Sequence, residues 1–366
     1  MLVRIANEPR DYAWGSQTAI PEYLGCPETG GPQAELWLGA HPGCPARVDG
    51  RPLGAALAEA GLPQPRILLK VLAAARPLSL QAHPTAEQAV DGFAREEAAG
   101  VPLDAPTRTY RDRHAKPELI VAVTPFEALS GFRPLADALP VLDAFAAADE
   151  RVAPLVGRAA ASLQGAVAWL LSDAADRAPV VDGVVRAAER LPDELAAERD
   201  TVRRIGAFAP GDPAVAIALL LHRVSLAPGE ALFLDAGNLH AYLGGLAIEL
   251  MGPSDNVVRG GMTPKHIDRE ELLRILDFTP LDDPRLPSER LDGATRWAPA
   301  APFELRHVDG AHRVGADGEG LLLARSDAII RADGDELRLR RGEAAYASSM
   351  RDAAVESDDA WLALAV

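Results

Sequence analysis

The fold is indicated by a short pattern that occurs twice, as Leu226-Ala-Pro-Gly-Glu-Ala-Leu-Phe233 and as Leu339-Arg-Arg-Gly-Glu-Ala-Ala-Tyr346. In both windows Gly-Glu interrupts an apolar run, which is typical of a strand, a tight turn and a second strand. A repeat of this kind predicts two related β-barrels or β-sandwiches.

The rest of the chain has three parts that differ in composition and in the spacing of their apolar residues. Residues 1-132 and 214-290 contain short apolar runs broken by Gly and Pro, which predict strands. Residues 133-213 are rich in Ala, Leu, Arg and Glu with apolar positions at helical spacing, which predicts helices. Residues 291-366 are again typical of strands and contain three dipeptides favoured in hairpins, Asp309-Gly310, Asp317-Gly318 and Asp333-Gly334. We therefore predict a mainly β protein with a discontinuous first β domain, an inserted helical domain and a carboxy-terminal β domain.

The composition limits the possible partners. The 366 residues carry a formal net charge of -16, and such an acidic surface argues against binding to nucleic acid or to anionic membranes. No apolar run approaches the length of a membrane-spanning helix, and the first fifteen residues lack the apolar core of a secretion signal. The two cysteines, Cys26 and Cys44, are too few for a disulfide framework. We expect a cytoplasmic monomer that acts on a small molecule.

A first group of candidate ligands lies in the predicted strand 78–83. Alternation along a strand places Ser79, Gln81 and His83 on one face. An amide oxygen and an imidazole would then lie side by side, and zinc accepts both oxygen and nitrogen ligands. A half-exposed strand with polar residues facing water would have the same pattern.

Two further pairs have the same spacing. Lys116 and Glu118 are two residues apart at the start of a predicted strand, where they could project to one side or form a surface ion pair. His240 and Tyr242 are also two apart and follow a Gly237-Asn238 turn. A single histidine in this position is more often structural than a metal ligand.

The remaining candidates lie further along the chain. Glu249 occurs within the apolar stretch 246–250, where a carboxylate needs a partner or a function. Arg259 and Lys265 flank Gly260-Gly261, and Thr263-Pro264 predicts the start of a helix. A helix amino terminus with cations nearby favours an anion, although an ordinary loop with two solvated cations would look similar.

Together these segments resemble the type I mannose-6-phosphate isomerases, a zinc-dependent family of the cupin superfamily. The resemblance covers residues 1–132 and 214–268, and it implies cupin-type jelly-roll barrels. The segments that carry it are Tyr12-Ala-Trp-Gly15, Ala34-Glu-Leu-Trp-Leu-Gly39, Gln81-Ala-His83-Pro, Lys116-Pro-Glu118, Gly237-Asn-Leu-His-Ala-Tyr242, Ser254-Asp-Asn256 and Arg259-Gly-Gly-Met-Thr-Pro-Lys265.

The resemblance also implies an activity and a site. The activity would be the reversible isomerisation of mannose 6-phosphate and fructose 6-phosphate through a cis-enediol. One Zn²⁺ per chain would be held by Gln81, His83, Glu118 and His240. The implied catalytic residues are Arg259, Lys116 and Glu249, with Glu249 as the proton-transferring base and zinc-bound hydroxide as the competing candidate. The residues implied to contact the substrate are Trp14, Glu35, Lys70, Ser79, Tyr242 and Lys265.

One position departs from the family pattern, which often has histidine directly before the lysine of Lys-Pro-Glu. This chain has Ala115 there and a histidine one place earlier, at His114. Ring opening of the sugar would then need His114, through a shifted loop, or zinc-bound water.

Three other functions stay open at this point. A cupin that binds a sugar phosphate without catalysis would need the same anion site, and an isomerase for a related aldose would need the same chemistry. His266-Ile-Asp268 with His307 has the His-x-Asp…His order of non-haem iron oxygenases. The helix predicted from Thr263-Pro264 argues against this, because residues two apart on a helix do not face each other.

Overall fold

The computed structural model of the chain describes residues 1–366 and contains twenty-one strands. The strands are β1 (Leu2–Ile5), β2 (Glu35–Leu38), β3 (Arg47–Val48), β4 (Arg51–Pro52), β5 (Leu68–Ala74), β6 (Leu80–Ala82), β7 (Glu118–Ala122), β8 (Phe126–Phe132), β9 (Leu221–Leu226), β10 (Ala231–Leu234), β11 (His240–Met251), β12 (Val258–Gly261), β13 (Arg285–Leu286), β14 (Glu289–Leu291), β15 (Ala294–Trp297), β16 (Phe303–Arg313), β17 (Gly320–Ala324), β18 (Ala328–Ala332), β19 (Asp335–Leu339), β20 (Ala344–Ala347) and β21 (Ala354–Ala365).

Ten α-helices and three short 3-10 helices accompany the strands. The α-helices are α1 (Ala19–Leu24), α2 (Leu53–Glu59), α3 (Ala86–Ala98), α4 (Leu135–Ala148), α5 (Ala153–Ala161), α6 (Leu163–Leu171), α7 (Arg177–Ala188), α8 (Ala196–Phe208), α9 (Ala214–Ile217) and α10 (Arg269–Ile275). The 3-10 helices are Glu150–Val152, Asp193–Leu195 and Ala218–Leu220. None of the helices combines the length and the apolar character that crossing a bilayer requires.

Nearly all strands belong to two large antiparallel sheets. The first has the strand order β12-β6-β11-β7-β10-β13. Strands β5 and β8 also pair with β11, and they pair in turn with β2 and β9. In the second, the order is β1-β20-β17-β21-β16-β15-β14, with β18 and β19 attached through β21. The prediction of a sheet-rich chain with several helices is confirmed. The strand pairings close neither sheet into a barrel, so the jelly-roll barrels are not confirmed.

The helices α4 to α8 follow β8 and precede β9, as the texture of residues 133–213 predicts. Their apolar faces form one core with residues from the first sheet, including Leu80, Ala82 and Ala241. Because side chains alternate along a strand, burying Leu80 and Ala82 under the helices turns the intervening Gln81 to the opposite face. The inserted helices therefore decide which face of β6 is free for chemistry.

Strand β11 takes part in two different pairings because it bends in its middle. Its first half, from His240, pairs with β8 and contacts β6, whereas its second half, up to Met251, pairs with β5 and β7. The bend lies at Gly245, whose φ of 120° is in a region that side chains disfavour. A Cβ atom at Gly245 would also lie 2.7 Å from Phe126 and from the carbonyl oxygen of Pro125. Only glycine fits this corner.

The two repeated windows adopt the same local structure. Gly229 and Gly342 both have positive φ angles, of 88° and 84°. In each turn the following glutamate accepts a hydrogen bond from a backbone N–H three residues earlier, Glu230 from Ala227 and Glu343 from Arg340, at 2.8 Å in both cases. The strand–turn–strand prediction is confirmed twice, although the strands on either side of each turn pair with other strands and form no hairpin.

The helix predicted from Thr263-Pro264 is wrong. The helix begins five residues later, as α10, and Asp268 caps it by accepting the backbone N–H of Glu271 at 2.9 Å. The hydroxyl of Thr263 instead accepts the N–H of Lys265 at 3.1 Å, which closes a local turn. Short polar side chains stabilise such turns as readily as helix starts, and the sequence pattern does not separate the two.

Candidate active site

Three buried side chains converge where β6, β7 and β11 meet. His83 follows β6, Glu118 begins β7 and His240 begins β11. The Nε2 atoms of His83 and His240 lie 3.3 and 3.4 Å from the same carboxylate oxygen, Glu118 Oε2. All three are almost fully buried, and their ligand atoms lie within 4.8 Å of one another.

Each imidazole makes a hydrogen bond through Nδ1, on the side of the ring away from Glu118. The ligand atoms that face one another then repel each other unless a cation lies between them. Nδ1 of His83 lies 2.8 Å from the carbonyl oxygen of Asn256, and Nδ1 of His240 lies 3.0 Å from that of Asn238. A carbonyl only accepts, so each Nδ1 carries a proton, and in the neutral ring each Nε2 presents a lone pair. His83 Nε2 and Glu118 Oε2 have no hydrogen-bond partner. Lone pairs from three donors therefore face one point, which fits a metal ion.

The protonation states also suit a metal. Burial lowers the pKa of His83 to about 4, so this imidazole is neutral at physiological pH. Burial alone would raise the pKa of Glu118, but the Lys116 ammonium outweighs it and brings that pKa well below its usual range. Lys116 Nζ lies 2.9 Å from Glu118 Oε1, the oxygen that faces away from the two histidines.

The fourth predicted ligand, Gln81, lies directly beside this group. Strand pairing places it opposite both His240 and Arg259. Its amide nitrogen is 3.4 Å from His240 Nε2, and its amide oxygen accepts a hydrogen bond from Ser79 at 3.0 Å. An amide can rotate to exchange its oxygen and nitrogen, and Ser79 can donate or accept. The opposite orientation would direct the oxygen to the metal, so Gln81 is compatible with a ligand role.

A second charged group lies next to the candidate metal ligands. Strand pairing places Lys70 beside Glu249 and beside Trp37. Lys70 Nζ lies 2.9 Å from Glu249, 3.6 Å from Glu35 and 4.8 Å from the centre of the Trp37 ring. Tyr242 donates its hydroxyl to the other oxygen of Glu249 at 3.0 Å.

This group is buried, and its pKa values shift accordingly. Burial lowers the pKa of Lys70, but the carboxylates of Glu249 and Glu35 more than reverse this and raise it. Burial raises the pKa of Glu249, which the Lys70 charge only partly opposes. Burial and the neighbouring carboxylate also raise the pKa of Tyr242. A carboxylate with a raised pKa beside a lysine can exchange a proton with it.

A cavity of about 520 Å³ opens next to these groups, a size that suits a small-molecule ligand. Eight predicted site residues line it, namely Trp14, Glu35, Lys70, Ser79, Gln81, Lys116, Arg259 and Lys265. The other five predicted residues, His83, Glu118, His240, Tyr242 and Glu249, are buried below its surface. Glu249 contacts the lining residue Lys70.

One wall of the cavity is positively charged and unpaired. It belongs to residues 259–265, which we call the cation segment. Neither Arg259 nor Lys265 has a carboxylate within ion-pair distance, whereas most of the other arginines in the chain do. Burial and the nearby Arg111 charge lower the pKa of Arg259, and burial and Arg259 lower that of Lys265. An anion in the cavity would relieve this repulsion.

Several cavity residues were missed by the sequence analysis. His41 is buried, and its Nε2 lies 3.4 Å from Asp255. Since its Nδ1 accepts the backbone N–H of Gly43, Nε2 carries the proton. Tyr12 stacks on Trp14 with ring centres 5.8 Å apart. Tyr12 lies in the segment Tyr12-Ala-Trp-Gly15 and Asp255 in Ser254-Asp-Asn256, while His41 follows Ala34-Glu-Leu-Trp-Leu-Gly39 by two residues. Their closeness in sequence to these segments was the signal that could have identified them.

Two sequence alternatives lose support. His114 is exposed and does not line the cavity, so nothing in the geometry assigns it to ring opening. His266, Asp268 and His307 form no metal-binding group. His307 instead contacts Asp359 at 3.0 Å within the second sheet, while Asp268 caps α10. The helix that argued against an iron site does not include His266. The site is excluded instead because these three side chains form no metal-binding group.

Comparison with known proteins agrees with this geometry. Residues 2–135 match the family model described as phosphomannose isomerase type I, catalytic domain. The chain is 35% identical to mannose-6-phosphate isomerase of Salmonella typhimurium, over 94% of each protein. It is 38% identical to that of Escherichia coli, over 76% of this chain and 75% of the relative.

Solved structures give the same result. The apo form of mannose 6-phosphate isomerase from Salmonella typhimurium superimposes with a TM-score of 0.90 and 32% identity, covering 100% of this chain and 99% of that one. A crystal structure of mannose 6-phosphate isomerase bound with zinc and yttrium has a TM-score of 0.89 at 32% identity, with the same coverage. The chain belongs to the type I phosphomannose isomerase family.

Proposed function

We propose that this chain catalyses the reversible isomerisation of mannose 6-phosphate to fructose 6-phosphate with one Zn²⁺ per chain. The observation that carries this proposal is the set of three buried lone pairs at the edge of a cavity with an unpaired cationic wall. The first feature requires a cation, and the second favours an anionic substrate.

The residues that would hold zinc are His83, Glu118, His240 and Gln81. Two neutral imidazoles, one amide and one carboxylate leave a net positive charge on the ion, and the cavity next to them leaves room for substrate. When bound, Zn²⁺ supplies a Lewis acid that stabilises negative charge on the sugar oxygens. Asn256 and Asn238 fix the tautomers of the two histidines through their carbonyl groups.

The cation segment would bind the phosphate group. Arg259 can donate two parallel hydrogen bonds to phosphate oxygens, and Lys265 adds a second positive charge. Both line the same cavity as Gln81 and Lys116, so a sugar phosphate held at one end would reach the metal ligands with its other end. Trp14, Ser79 and the carboxylate of Glu35 would contact the sugar.

Proton transfer between C2 and C1 would use the Lys70–Glu249 pair: the Lys70 ammonium would first pass a proton to Glu249, and the free amine would then take the proton from C2 and return it to C1. Lys70 lines the cavity and its Nζ atom lies 2.9 Å from Glu249, which accepts a proton more readily than an ordinary carboxylate because it is buried. This changes the predicted role of Glu249, which acts through Lys70 and does not touch the sugar. Tyr242 keeps Glu249 in place.

Lys116 would stabilise the negative charge that develops as the C–H bond breaks. It lines the cavity and is oriented by its contact with Glu118 at 2.9 Å. A unit charge about 4 Å from a developing oxyanion contributes about 4 kcal/mol at an effective dielectric constant of about 20. This would be a substantial part of the catalytic effect.

The two sheets and the inserted helices also suggest a division of the chain into domains. We propose that the two sheets are cupin-type jelly-rolls, with residues 1-132 and 214-290 as the catalytic domain, 133-213 as a helical insertion and 291-366 as the carboxy-terminal domain. One detail qualifies these limits, because β1 pairs with β20 of the second sheet. A monomeric state and a cytoplasmic location stay predictions.

The alternative of a sugar-phosphate sensor is less well supported, since the complete group of zinc donors would have no role in it. A coupled assay tests the proposal directly, with mannose 6-phosphate as substrate and formation of fructose 6-phosphate as the signal. We expect turnover that a zinc chelator abolishes and that added Zn²⁺ restores. A zinc-loaded protein that binds mannose 6-phosphate without turning it over would support the sensor. Turnover of another aldose phosphate in preference would support the related isomerase.

A further inference from the structure

The cation segment contains a strained residue at the point where it leaves the sheet. Strand β12 ends at Gly261, and Met262 follows with a φ of 55°, in the left-handed region. Residues other than glycine adopt this conformation at a cost, and only where their surroundings enforce it. Met262 lies between Arg259 and Lys265, and the direction in which the chain continues to Lys265 depends on its conformation.

The residue that enforces this conformation comes from the helical part of the chain. The Met262 N–H, which has no strand partner, donates to Asp212 Oδ2 at 2.7 Å. Asp212 follows α8, and its other oxygen accepts the N–H of Ala214 at 2.9 Å. One carboxylate therefore holds its own loop and the cation segment at the same time.

Close packing shows that the contact is built into the fold. A Cβ atom at Gly261 would lie 2.7 Å from Asp212 Oδ1 and 2.8 Å from the Cβ atom of Ala214. The Met262 side chain is buried in the core that the inserted helices form with the first sheet. The segment is thus fixed on both sides, by a hydrogen bond to its backbone and by packing of its side chain.

We propose that Asp212 is a positioning residue for phosphate binding, which holds residues 259–265 in the conformation that presents Arg259 and Lys265 to the cavity. This inference rests on the proposed function. It assigns the helical insertion a part in substrate affinity, although Asp212 itself does not line the cavity. Without the hydrogen bond, the segment would populate other conformations, and the apparent affinity would fall with the fraction of competent molecules.

The test compares two Asp→Ser variants. Asp212→Ser leaves a hydroxyl that can accept from Ala214 but is too short to reach Met262. Asp149→Ser is the matched control, because Asp149 also lies in the helical part and accepts the N–H of the residue two places on, Arg151, at 3.2 Å. Asp149 is not among the residues that line the cavity.

We expect Asp212→Ser to raise KM for mannose 6-phosphate about tenfold with kcat changed less than about threefold, as for loss of one hydrogen bond to a charged group. The inhibition constant of inorganic phosphate should rise by the same factor, and zinc content should stay at one per chain. Asp212→Asn, which retains one carbonyl oxygen, should be intermediate. Asp149→Ser should leave KM and the phosphate constant unchanged.

Two results would overturn the assignment. One is an unchanged phosphate constant in Asp212→Ser, and the other is an equal rise in Asp149→Ser, which would indicate general loosening of the helices. Calorimetric titration with inorganic phosphate makes the test independent of turnover. If the wild-type protein failed to isomerise mannose 6-phosphate, only the proposed function would fail, and the phosphate titration would still decide the role of Asp212.

Discussion

Replacing Lys70 by methionine should separate the structural and catalytic roles of the buried charged group. Lys70 has 7% of its side chain exposed and Glu249 has 3%, so the substitution leaves a carboxylate buried without its counter-charge. Breaking a buried ion pair in this way costs about 3–5 kcal/mol. For a chain of 366 residues, with an unfolding entropy of about 2.1 cal/mol/K per residue, this lowers Tm by about 4–6.5 °C.

The pH dependence of this loss follows from the carboxylate. The pKa of Glu249 is already raised by burial, and losing the Lys70 charge raises it further. A raised folded-state pKa means that the destabilisation is greatest where the carboxylate is ionised and shrinks as pH falls and the group takes up a proton. Thermal unfolding of the variant should therefore differ from wild type more at pH 8 than at pH 5.

A second substitution distinguishes stability from chemistry. Glu249→Gln removes the unpaired charge while keeping an acceptor for Tyr242, so the double variant Lys70→Met/Glu249→Gln should recover most of the lost Tm. Its isomerase activity should stay near the level of the single variant, because the proton-transferring nitrogen is absent. A double variant that is no more stable than Lys70→Met, or one that regains activity, would refute this reasoning.

Three further outcomes are expected. His240→Ala should lose tightly bound zinc and activity together in metal analysis and the coupled assay, whereas alanine at His222, a histidine outside the site, should retain both; full zinc in His240→Ala would remove it from the ligand set. Arg259→Ala should lower kcat/KM for mannose 6-phosphate at least about a hundredfold with zinc content unchanged, and a near-normal value would remove it from the site. Gly245→Ala should fold poorly, since its Cβ would overlap Phe126 and the backbone of Pro125; thermal unfolding like that of wild type would disprove the strained corner.

Strand alternation is a local rule, and from the sequence it placed two of the candidate metal ligands on one face, whereas the full ligand set came from the family resemblance. The spacing of Gln81 and His83 places both on one face of β6, and the structure shows Leu80 and Ala82 buried on the other. The strand itself is shorter than predicted, since only residues 80–82 are regular. That the histidines meet Glu118 depends on pairing between distant strands, and the family resemblance supplied it.

Other features were not predicted, because they depend on competition between local backbone conformations or on contacts between residues distant in sequence. The Asp-Gly pairs show the first case. Asp333-Gly334 forms a hairpin turn with both φ angles positive, while Asp309-Gly310 lies at a bulge inside β16. The second case is Glu249, whose isolation in an apolar strand signalled a role but not its contact with Lys70, a residue that lines the cavity.

The pairing of β1 with β20 has a consequence for how the chain is made. The first strand, Leu2–Ile5, finds its strand partner only in Ala344–Ala347, about 340 residues further along the chain. At roughly 5–20 residues per second, a ribosome needs on the order of 20–70 s to synthesise the intervening length. During that time the leading segment has no edge to join, so the second sheet can be completed only after Ala344–Ala347 have been synthesised.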